Sequence, residues 1–180
     1  MFSLLPVPIL SASNTSMRGT DTHQLNLFYI SSTNNITLCT LTCPVLSSAC
    51  KTASNIALTL NATSPQLNPS SGLAAINVNN AQDWRIYYYD TSGFLNELSG
   101  NTGGFDTVGK PIGGSALNGS AIAAVNVNAT TNNINVFYVD QLTQALFMTE
   151  FGGVWSVRTF PLVSFPSPLS LHPTQTRTQK

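Results

Sequence analysis

The chain has 180 residues, enough for one domain with a substantial core. Only 8% of its residues are charged, and seven basic residues balance seven acidic ones. Proteins that bind nucleic acid or anionic membranes carry a basic footprint that this chain lacks, so neither partner is expected. Asn, Ser and Thr stand in place of the missing charges, a composition common in extracellular β-proteins, and secretion is therefore favoured.

Helix signals are nearly absent from the sequence. Gly, Asn, Pro and β-branched residues recur throughout, and no apolar pattern of helical period lasts three turns. No stretch approaches the ~18 consecutive apolar residues of a membrane span. The predicted fold class is all-β.

The first ten residues are apolar and have two interpretations. A signal peptide would need a basic segment at its start, and here Pro6 and Pro8 interrupt the apolar run. The alternative is a short buried strand. We favour the strand because residues 8–13 occupy the place of the first strand in the repeat described below.

Three cysteines, Cys39, Cys43 and Cys50, cannot all pair within one chain. They form no CxxC unit and have no fourth ligand for zinc, so neither a metal nor another cofactor is expected. One disulfide with a free thiol, or three buried thiols, both fit the sequence. If the chain is secreted, five N-x-S/T motifs could make it a glycoprotein, at Asn14, Asn35, Asn61, Asn118 and Asn128.

Internal repeats are the strongest organisational signal. The segment LAAINV at 73–78 recurs 49 residues later as IAAVNV, and IYYYD at 86–90 recurs 50 residues later as VFYVD. A third copy of the second segment is LFYI at 27–30. Four short strands at a period near fifty residues are typical of a propeller blade. A β-sandwich would alternate more cleanly between apolar and polar residues, and a β-solenoid usually has shorter repeats.

We therefore predict about three four-stranded blades in an incomplete ring, at approximately 7–65, 71–112 and 119–157. Residues 158–180 contain four prolines and many Ser and Thr, and are predicted to form a disordered tail. Three blades are too few to close a six-bladed ring. Either two copies form a homodimer that completes the ring, or the chain is a fragment of a longer protein, the interpretation that the tail favours.

The segment 85–97 is predicted to be a β-hairpin around Asp90-Thr91-Ser92-Gly93. A hairpin symmetrical about Thr91 would place Arg85 directly opposite Glu97. A guanidinium and a carboxylate would then lie side by side on one face of the sheet.

This hairpin, R-I-Y-Y-Y-D-T-S-G-F-L-N-E, follows a small apolar strand and precedes Gly and an aromatic residue. The arrangement resembles the fungal fucose-specific lectins of the orange-peel mushroom type, which are six-bladed β-propellers. The resemblance covers about residues 7–157 as repeats, and the full motif occurs once. It implies a carbohydrate-binding protein that recognises fucosylated glycans, with Arg85 and Glu97 hydrogen-bonding sugar hydroxyls and Phe105 stacking on the apolar face of the sugar.

The chemistry of these residue types suits a neutral sugar. Arg offers a fixed fork of donors, Glu offers acceptors, and an aromatic ring packs on C–H groups. The alternative is an exposed ion pair worth ~0–1 kcal/mol, with Phe105 in blade packing. The other two repeats lack the set, which supports a structural propeller fragment that has lost sugar binding: the Arg position holds Asn26 and Asn135, the Glu position Leu38 and Phe147, and the aromatic position Leu46 and Trp155.

Catalytic signals are weak. The two histidines are His23 and His172, and the sequence has no nucleophile elbow, phosphate loop or metal-ligand cluster. A glycosidase needs two carboxylates in one site, and the sequence marks no such pair. The chain is not expected to be an enzyme.

Overall fold

The computed structural model describes residues 10–15, 22–44, 50–78, 83–101, 104–106, 108–128 and 132–160. All the regular secondary structure of these segments is β-strand, which confirms the all-β prediction. No helix within these residues is long and apolar enough to cross a membrane. The strands build three antiparallel sheets that follow one another along the chain, here named blade 1, blade 2 and blade 3.

Blade 1 has four strands in sequential order. A disulfide between Cys43 and Cys50 links the end of its third strand to the start of its fourth, and Cys39 is a free, half-buried thiol. The first of the two cysteine alternatives is therefore correct. A strand does occupy the predicted N-terminal position, although residues 1–9 lie outside the described part. The strands are β1 (Leu10–Thr15), β2 (Thr22–Ile30), β3 (Ile36–Pro44) and β4 (Lys51–Leu58).

Blade 2 has an outer strand in two pieces. Its third strand pairs with one short strand near its C-terminal end and with another near its N-terminal end. The chain leaves the sheet and returns between these pieces, close to Gly109. The strands are β5 (Leu73–Val78), β6 (Asp83–Tyr89), β7 (Phe94–Asn101), β8 (Gly104–Phe105) and β9 (Lys110–Ser115).

Blade 3 again has four sequential strands. Its last strand ends at Thr159, so the first two residues of the predicted tail belong to the sheet. The rest of that tail, from residue 161, lies outside the described residues. The strands are β10 (Ala123–Asn128), β11 (Asn133–Val139), β12 (Leu146–Phe151) and β13 (Trp155–Thr159).

The blades lie side by side, with their first strands adjacent: β5 contacts both β1 and β10. Small residues such as Ala74 and Ala75 suit this crowded inner position. The front face of a blade is the one that points towards the next blade in blades 1 and 2, and the equivalent face in blade 3. The back face is the opposite one, which points towards the preceding blade in blades 2 and 3. Blade 2 is covered on both faces, and the three blades do not close into a ring.

The β6–β7 hairpin has a different register from the predicted one. Arg85 pairs with Ser99, and Glu97 pairs with Tyr87, so the prediction that Arg85 lies directly opposite Glu97 is wrong by two residues. The reason is the turn, in which the backbone N–H of Asp90 donates to the carbonyl of Phe94 at 3.0 Å. This closes a three-residue loop centred on Ser92, with Gly93 at φ 84°, the left-handed conformation that this loop type requires.

The corresponding turn in blade 3 is one residue longer. There the N–H of Asp140 donates to the carbonyl of Ala145 at 2.9 Å. Because of the extra residue, Met148 pairs with Phe137 in the way that Glu97 pairs with Tyr87. The prediction that Phe147 occupies the Glu position is therefore wrong, and Met148 occupies it.

Candidate functional site

Arg85 and Glu97 lie on the front face of blade 2, on neighbouring strands. A register shift of two residues keeps every side chain on its predicted face, since the side-chain period of a strand is two. The two residues are diagonal neighbours, with 3.7 Å between Arg85 Nε and Glu97 Oε1. Their side chains are 24% and 12% exposed, so the pair is partly buried and still reachable from solvent.

The Glu97 carboxylate has two hydroxyl partners besides Arg85. The Tyr87 hydroxyl donates to Oε2 at 3.0 Å, and the Ser99 hydroxyl donates to Oε1 at 3.4 Å. Burial raises the pKa of Glu97 above its ordinary value, while Arg85 and the two hydroxyls act in the opposite direction. A carboxylate has about four lone-pair sites, so acceptor capacity remains for a ligand.

The Arg85 guanidinium is fixed along its strand. One terminal nitrogen donates to the carbonyl oxygen of Trp84 at 2.9 Å. Because a guanidinium carries five N–H donors in a rigid plane, this bond and the ion pair orient the group while leaving donors for a ligand.

Blade 3 contributes an aromatic wall to the groove that this pair faces. The ring of Trp155 on β13 meets the ring of Tyr87 edge-on, with centroids 6.2 Å apart. Trp155 also packs against Phe151 at 5.2 Å, which fixes its position on the back face of blade 3. The groove between blades 2 and 3 thus combines a guanidinium, a carboxylate and an indole ring.

Phe105, the third residue predicted for the site, lies elsewhere. It pairs with Gly100 on β7, and its ring occupies the space that a Cβ at Gly100 would need. The ring stacks on Trp84 at 5.8 Å and meets Phe28 of blade 1 at 5.9 Å. Phe105 therefore belongs to the groove between blades 1 and 2, on the opposite face of blade 2 from Arg85.

Trp155 and Phe105 are equivalent positions in successive blades. Trp155 pairs with Phe151, and Phe105 pairs with Gly100, at matching points of the third strand. In both cases the ring lies in the groove between its own blade and the preceding blade. The ring that accompanies Arg85 must consequently come from the following blade, and that ring is Trp155.

The groove between blades 1 and 2 has rings and lacks an Arg and a Glu at the two equivalent positions. At the Arg and Glu positions stand the buried Asn26 and the buried Leu38, and Asn26 accepts a hydrogen bond from Thr40 at 3.0 Å. A cavity of about 370 Å³ lies here, lined mainly by apolar side chains such as Trp84 and Phe105. The predicted Leu46 of this repeat lies outside the described residues.

The front face of blade 3 carries a different ion pair. Asn135 stands at the Arg position and Met148 at the Glu position. Glu150 and Arg158 instead bind each other, with 2.6 Å between Oε2 and Nε. Only the groove after blade 2 therefore combines an Arg at the first position with a Glu at the second, among the described residues.

No group of three potential metal ligands occurs among the described residues. The groove between blades 2 and 3 offers donors, acceptors and an aromatic surface. This combination suits a small neutral ligand with several hydroxyls and one C–H face.

Comparison with solved structures identifies the fold. The chain matches the lectin AofleA from Arthrobotrys oligospora with a TM-score of 0.62 and 24% identity over 85% of this chain and 42% of that one. It matches a variant of the Aleuria aurantia lectin, in complex with alpha-methyl-L-fucoside, with a TM-score of 0.60 and 19% identity over 88% of this chain and 46% of that one. The chain has the fold of these β-propeller lectins.

A further match differs in coverage. The fucose lectin from Kordia zhangzhouensis, in complex with methyl-fucoside, has a TM-score of 0.54 and 15% identity over 83% of this chain and 98% of that one. The chain thus spans less than half of the first two lectins and nearly all of the third. No protein-family model matches the chain, and no curated protein matches it significantly in sequence.

Sequence reasoning missed three contributors to this groove: Tyr87, Ser99 and Trp155. The Tyr87 ring is buried, and its hydroxyl reaches Glu97. Trp155 could have been predicted from the sequence. It is the residue of blade 3 that corresponds to Phe105, and an aromatic residue at that position lies on the side of the groove that faces blade 2.

Proposed function

We propose that the chain is a lectin-like carbohydrate-binding protein whose sugar site lies in the groove between blades 2 and 3. The observation that supports it best is the partly buried pair of Arg85 and Glu97 beside the ring of Trp155. A sugar hydroxyl can accept from Arg85 and donate to Glu97, while a C–H face packs on the indole. Hydrogen bonds to ionised partners are about twice as strong as neutral ones, which suits a shallow site.

Fucosylated glycans are the proposed ligands. The matched Aleuria aurantia and Kordia zhangzhouensis lectins were solved with methyl-fucosides, and a second Aleuria aurantia complex holds Fucalpha1-6GlcNAc. Fucose is a 6-deoxy sugar, so one edge is a methyl group. An aromatic wall next to two charged hydrogen-bonding groups complements such a half-apolar sugar.

Calorimetric titration with α-methyl-L-fucoside tests the site. We expect saturable binding by the unmutated chain and a loss of at least about tenfold in Arg85→Ala and Glu97→Ala, since a hydrogen bond to a charged group contributes roughly 1.5–3 kcal/mol. Arg158→Ala is the matched control, because it breaks an ion pair outside the groove. Absence of binding by the unmutated chain, or equal binding by all four proteins, would reject the proposal.

A structural or interaction propeller without sugar binding is the second candidate. The observation that favours it is the loss of the charged set at two of three equivalent positions, where Asn26 and Leu38 or Asn135 and Met148 stand. A glycan array distinguishes the two functions, since this candidate expects no glycan to bind.

We further propose that the protein binds sugars without hydrolysing them, as its structural neighbours are lectins. Incubation with a chromogenic α-L-fucoside should release no product. Pairing of two copies, one of the two alternatives that the sequence left open, belongs to the same proposal. Two weak sites on one particle raise avidity by about 10²–10⁴ when both engage one surface.

A further inference from the structure

One N-x-S/T motif lies exposed on the loop that joins blade 1 to blade 2. Asn61, Ala62 and Thr63 follow the last strand of blade 1, and all three are exposed. Such a motif is an acceptor for N-linked glycosylation when a chain enters the secretory route. The proposed sugar groove uses none of the five motifs in the sequence, and the fold places them in different surroundings.

The motif at Asn61 is held in an Asx turn. The backbone N–H and the hydroxyl of Thr63 both donate to Asn61 Oδ1, at 3.0 Å and 3.1 Å. The carboxamide and the hydroxyl, the two groups that define the motif, are therefore in direct contact. No described residue accepts a hydrogen bond from Asn61 Nδ2, and the side chain is exposed, so this nitrogen is accessible from solvent.

Further hydrogen bonds fix this turn to the body of the molecule. The backbone N–H of Ser64 donates to the carbonyl of Asn61 at 2.9 Å, and the Gln66 side-chain amide donates to the same carbonyl at 3.0 Å. Ser64 is buried, and its hydroxyl accepts from the backbone N–H of Gly109 in blade 2 at 2.7 Å. The loop thus presents its motif outward from a fixed base.

The motif at Asn35 is closed by the fold of blade 1. Its hydroxyl residue, Thr37, lies on β3 between β2 and β4 and is only 6% exposed. Asn35 is half-buried, and its Nδ2 donates to the carbonyl and the hydroxyl of Thr33 at 3.5 Å and 3.3 Å. An enzyme that reads the hydroxyl of this motif would have to open the sheet.

The motif at Asn118 is exposed at its asparagine and held at its hydroxyl. Ser120 is half-buried, and its hydroxyl is hydrogen-bonded to the hydroxyl of the buried Tyr89 at 3.0 Å. This hydroxyl is therefore engaged in the contact between blades 2 and 3. The motifs at Asn14 and Asn128 extend into residues outside the described part, and the inference does not use them.

The disulfide between Cys43 and Cys50 favours the compartment in which this modification takes place. Disulfides form and persist in secretory compartments and are rare in the cytosol. Oligosaccharyltransferases act in the same oxidising compartment, on chains that enter it. The disulfide is an observation independent of the motif.

We infer that Asn61 is an N-glycosylation site that remains open to an oligosaccharyltransferase in the folded chain. In the transfer, Asn61 Nδ2 forms a bond to C1 of the first sugar of a dolichyl diphosphate oligosaccharide. The bond between C1 and the diphosphate oxygen breaks, dolichyl diphosphate leaves, and the amide nitrogen releases one proton. The inference requires neither the proposed sugar groove nor pairing of two copies.

A glycan on Asn61 would lie away from the proposed sugar groove. The loop meets blade 2 at the β6–β7 turn, where the N–H of Thr91 donates to the carbonyl of Gln66 at 2.9 Å. Arg85 lies near the start of β6, a separation of about 20 Å at roughly 3.3 Å per residue, and faces blade 3. Glycosylation should therefore leave methyl-fucoside affinity unchanged.

Transfer onto the purified, disulfide-bonded chain tests the inference. The chain is incubated with a single-subunit eukaryotic oligosaccharyltransferase and a lipid-linked oligosaccharide. Peptide-N-glycosidase F then converts each glycosylated Asn to Asp, which mass spectrometry of peptides locates. We expect modification of Asn61, with occupancy at least about tenfold lower at Asn35 and Asn118, whose hydroxyls become accessible only by local opening. Short peptides of the three motifs, which have no fold to protect them, should all be modified.

Variants of Thr63 identify the group that the enzyme reads. Thr63→Ala should abolish transfer to Asn61, whereas Thr63→Ser, the matched control, should retain it because Ser keeps the hydroxyl. An unmodified Asn61 in a folded chain whose peptide is modified would overturn the inference, as would equal modification of Asn35 or Asn118. The unmutated chain decides even if a variant fails to fold. Absence of methyl-fucoside binding before and after glycosylation would reject the sugar groove alone.

Discussion

Tyr87 and Glu97 are directly opposite each other on neighbouring strands, and the Tyr87 hydroxyl donates to Glu97 Oε2 at 3.0 Å. The tyrosine ring is fully buried, and burial together with the neighbouring carboxylate raises its pKa well above the ordinary value. Tyr87 therefore stays protonated and acts as a fixed donor. It also touches Trp155, so one buried side chain connects the acceptor of the proposed site to its aromatic wall.

Tyr87→Phe should shift the pH dependence of sugar binding. The hydroxyl favours the ionised form of Glu97, and its removal leaves a buried carboxylate with fewer donors, so the pKa of Glu97 rises further. Because only the carboxylate accepts freely from a sugar hydroxyl, we expect the midpoint of the binding-versus-pH curve to move to higher pH. Affinity at the high-pH plateau should change by less than the loss seen in Glu97→Ala.

Methyl-fucoside titrations at a series of pH values measure this midpoint. Tyr138→Phe is a matched control, since its buried hydroxyl lies in the same core cluster and has no carboxylate partner of this kind. An unchanged midpoint in Tyr87→Phe would show that the hydroxyl does not set the protonation of Glu97.

Glu97 should also make stability fall with rising pH. Since burial raises the pKa of this carboxyl, the folded chain retains the proton at pH values where the unfolded chain has released it. The contribution of this group to stability is therefore largest at low pH and declines between the ordinary carboxyl pKa and the raised one. The proposed sugar binding needs the ionised form, so it should change in the opposite direction over the same window.

Glu97→Gln removes the titration while keeping the shape of the side chain. We expect the difference in unfolding free energy, variant minus unmutated chain, to grow as the pH rises through that window and to level off above it. Urea unfolding followed by tryptophan fluorescence provides the measurement. A difference that shrinks with rising pH would mean that Arg85 and the hydroxyls outweigh burial.

The sequence predicted the faces of the hairpin better than its register. The assumed turn centre was Thr91, and the actual loop is centred one residue later, which moves every pairing by two. Because strand side chains alternate with period two, Arg85 and Glu97 still share a face. In blade 3 the extra turn residue moves the pairing by one, and this changes the face, so Met148 replaces Phe147 at the equivalent position.

Spacing within one repeat could not show that Phe105 and Arg85 lie in different grooves. A propeller groove is built from the front of one blade and the back of the next, so its residues belong to different repeats. Gly100 is the local reason, since its missing side chain leaves room for the Phe105 ring on the back face. The all-β class depended only on composition and periodicity, and it was predicted correctly.

The disulfide should stabilise blade 1 without affecting the sugar site. Cys43 and Cys50 are seven residues apart, and closing a loop of that size contributes about 2–3 kcal/mol by the chain-entropy estimate. We expect Cys43→Ser to lower the unfolding free energy by about that amount, with methyl-fucoside affinity within twofold of the unmutated chain. Cys39→Ser, which removes the free thiol, is the control.

Thermal unfolding with and without reductant checks the same point on the unmutated protein. Reductant should lower its midpoint and should not change that of Cys43→Ser. If Cys43→Ser lost sugar binding while still folded, blade 1 would be coupled to the groove between blades 2 and 3, contrary to the assignment of that groove.

Trp155→Ala and Phe105→Ala should separate binding from packing. Both remove a half-buried ring at equivalent positions of neighbouring blades, so each should cost about 2–3 kcal/mol of stability. Trp155 contacts Tyr87, the hydroxyl partner of Glu97, whereas Phe105 lies in the groove between blades 1 and 2. We therefore expect methyl-fucoside affinity to fall by about tenfold in Trp155→Ala, equivalent to ~1.4 kcal/mol, and to stay within twofold in Phe105→Ala.

Calorimetric titration and urea unfolding of both variants, with Trp155→Phe as an intermediate, complete the comparison. Phe retains a ring that can contact Tyr87 and a sugar, so its affinity should lie between those of the unmutated chain and Trp155→Ala. Lost binding in Phe105→Ala with normal binding in Trp155→Ala would place the ligand in the groove between blades 1 and 2. That groove offers rings and a buried Asn26 where the next groove has Arg85, and the recognition of its ligand would then depend mainly on apolar contact.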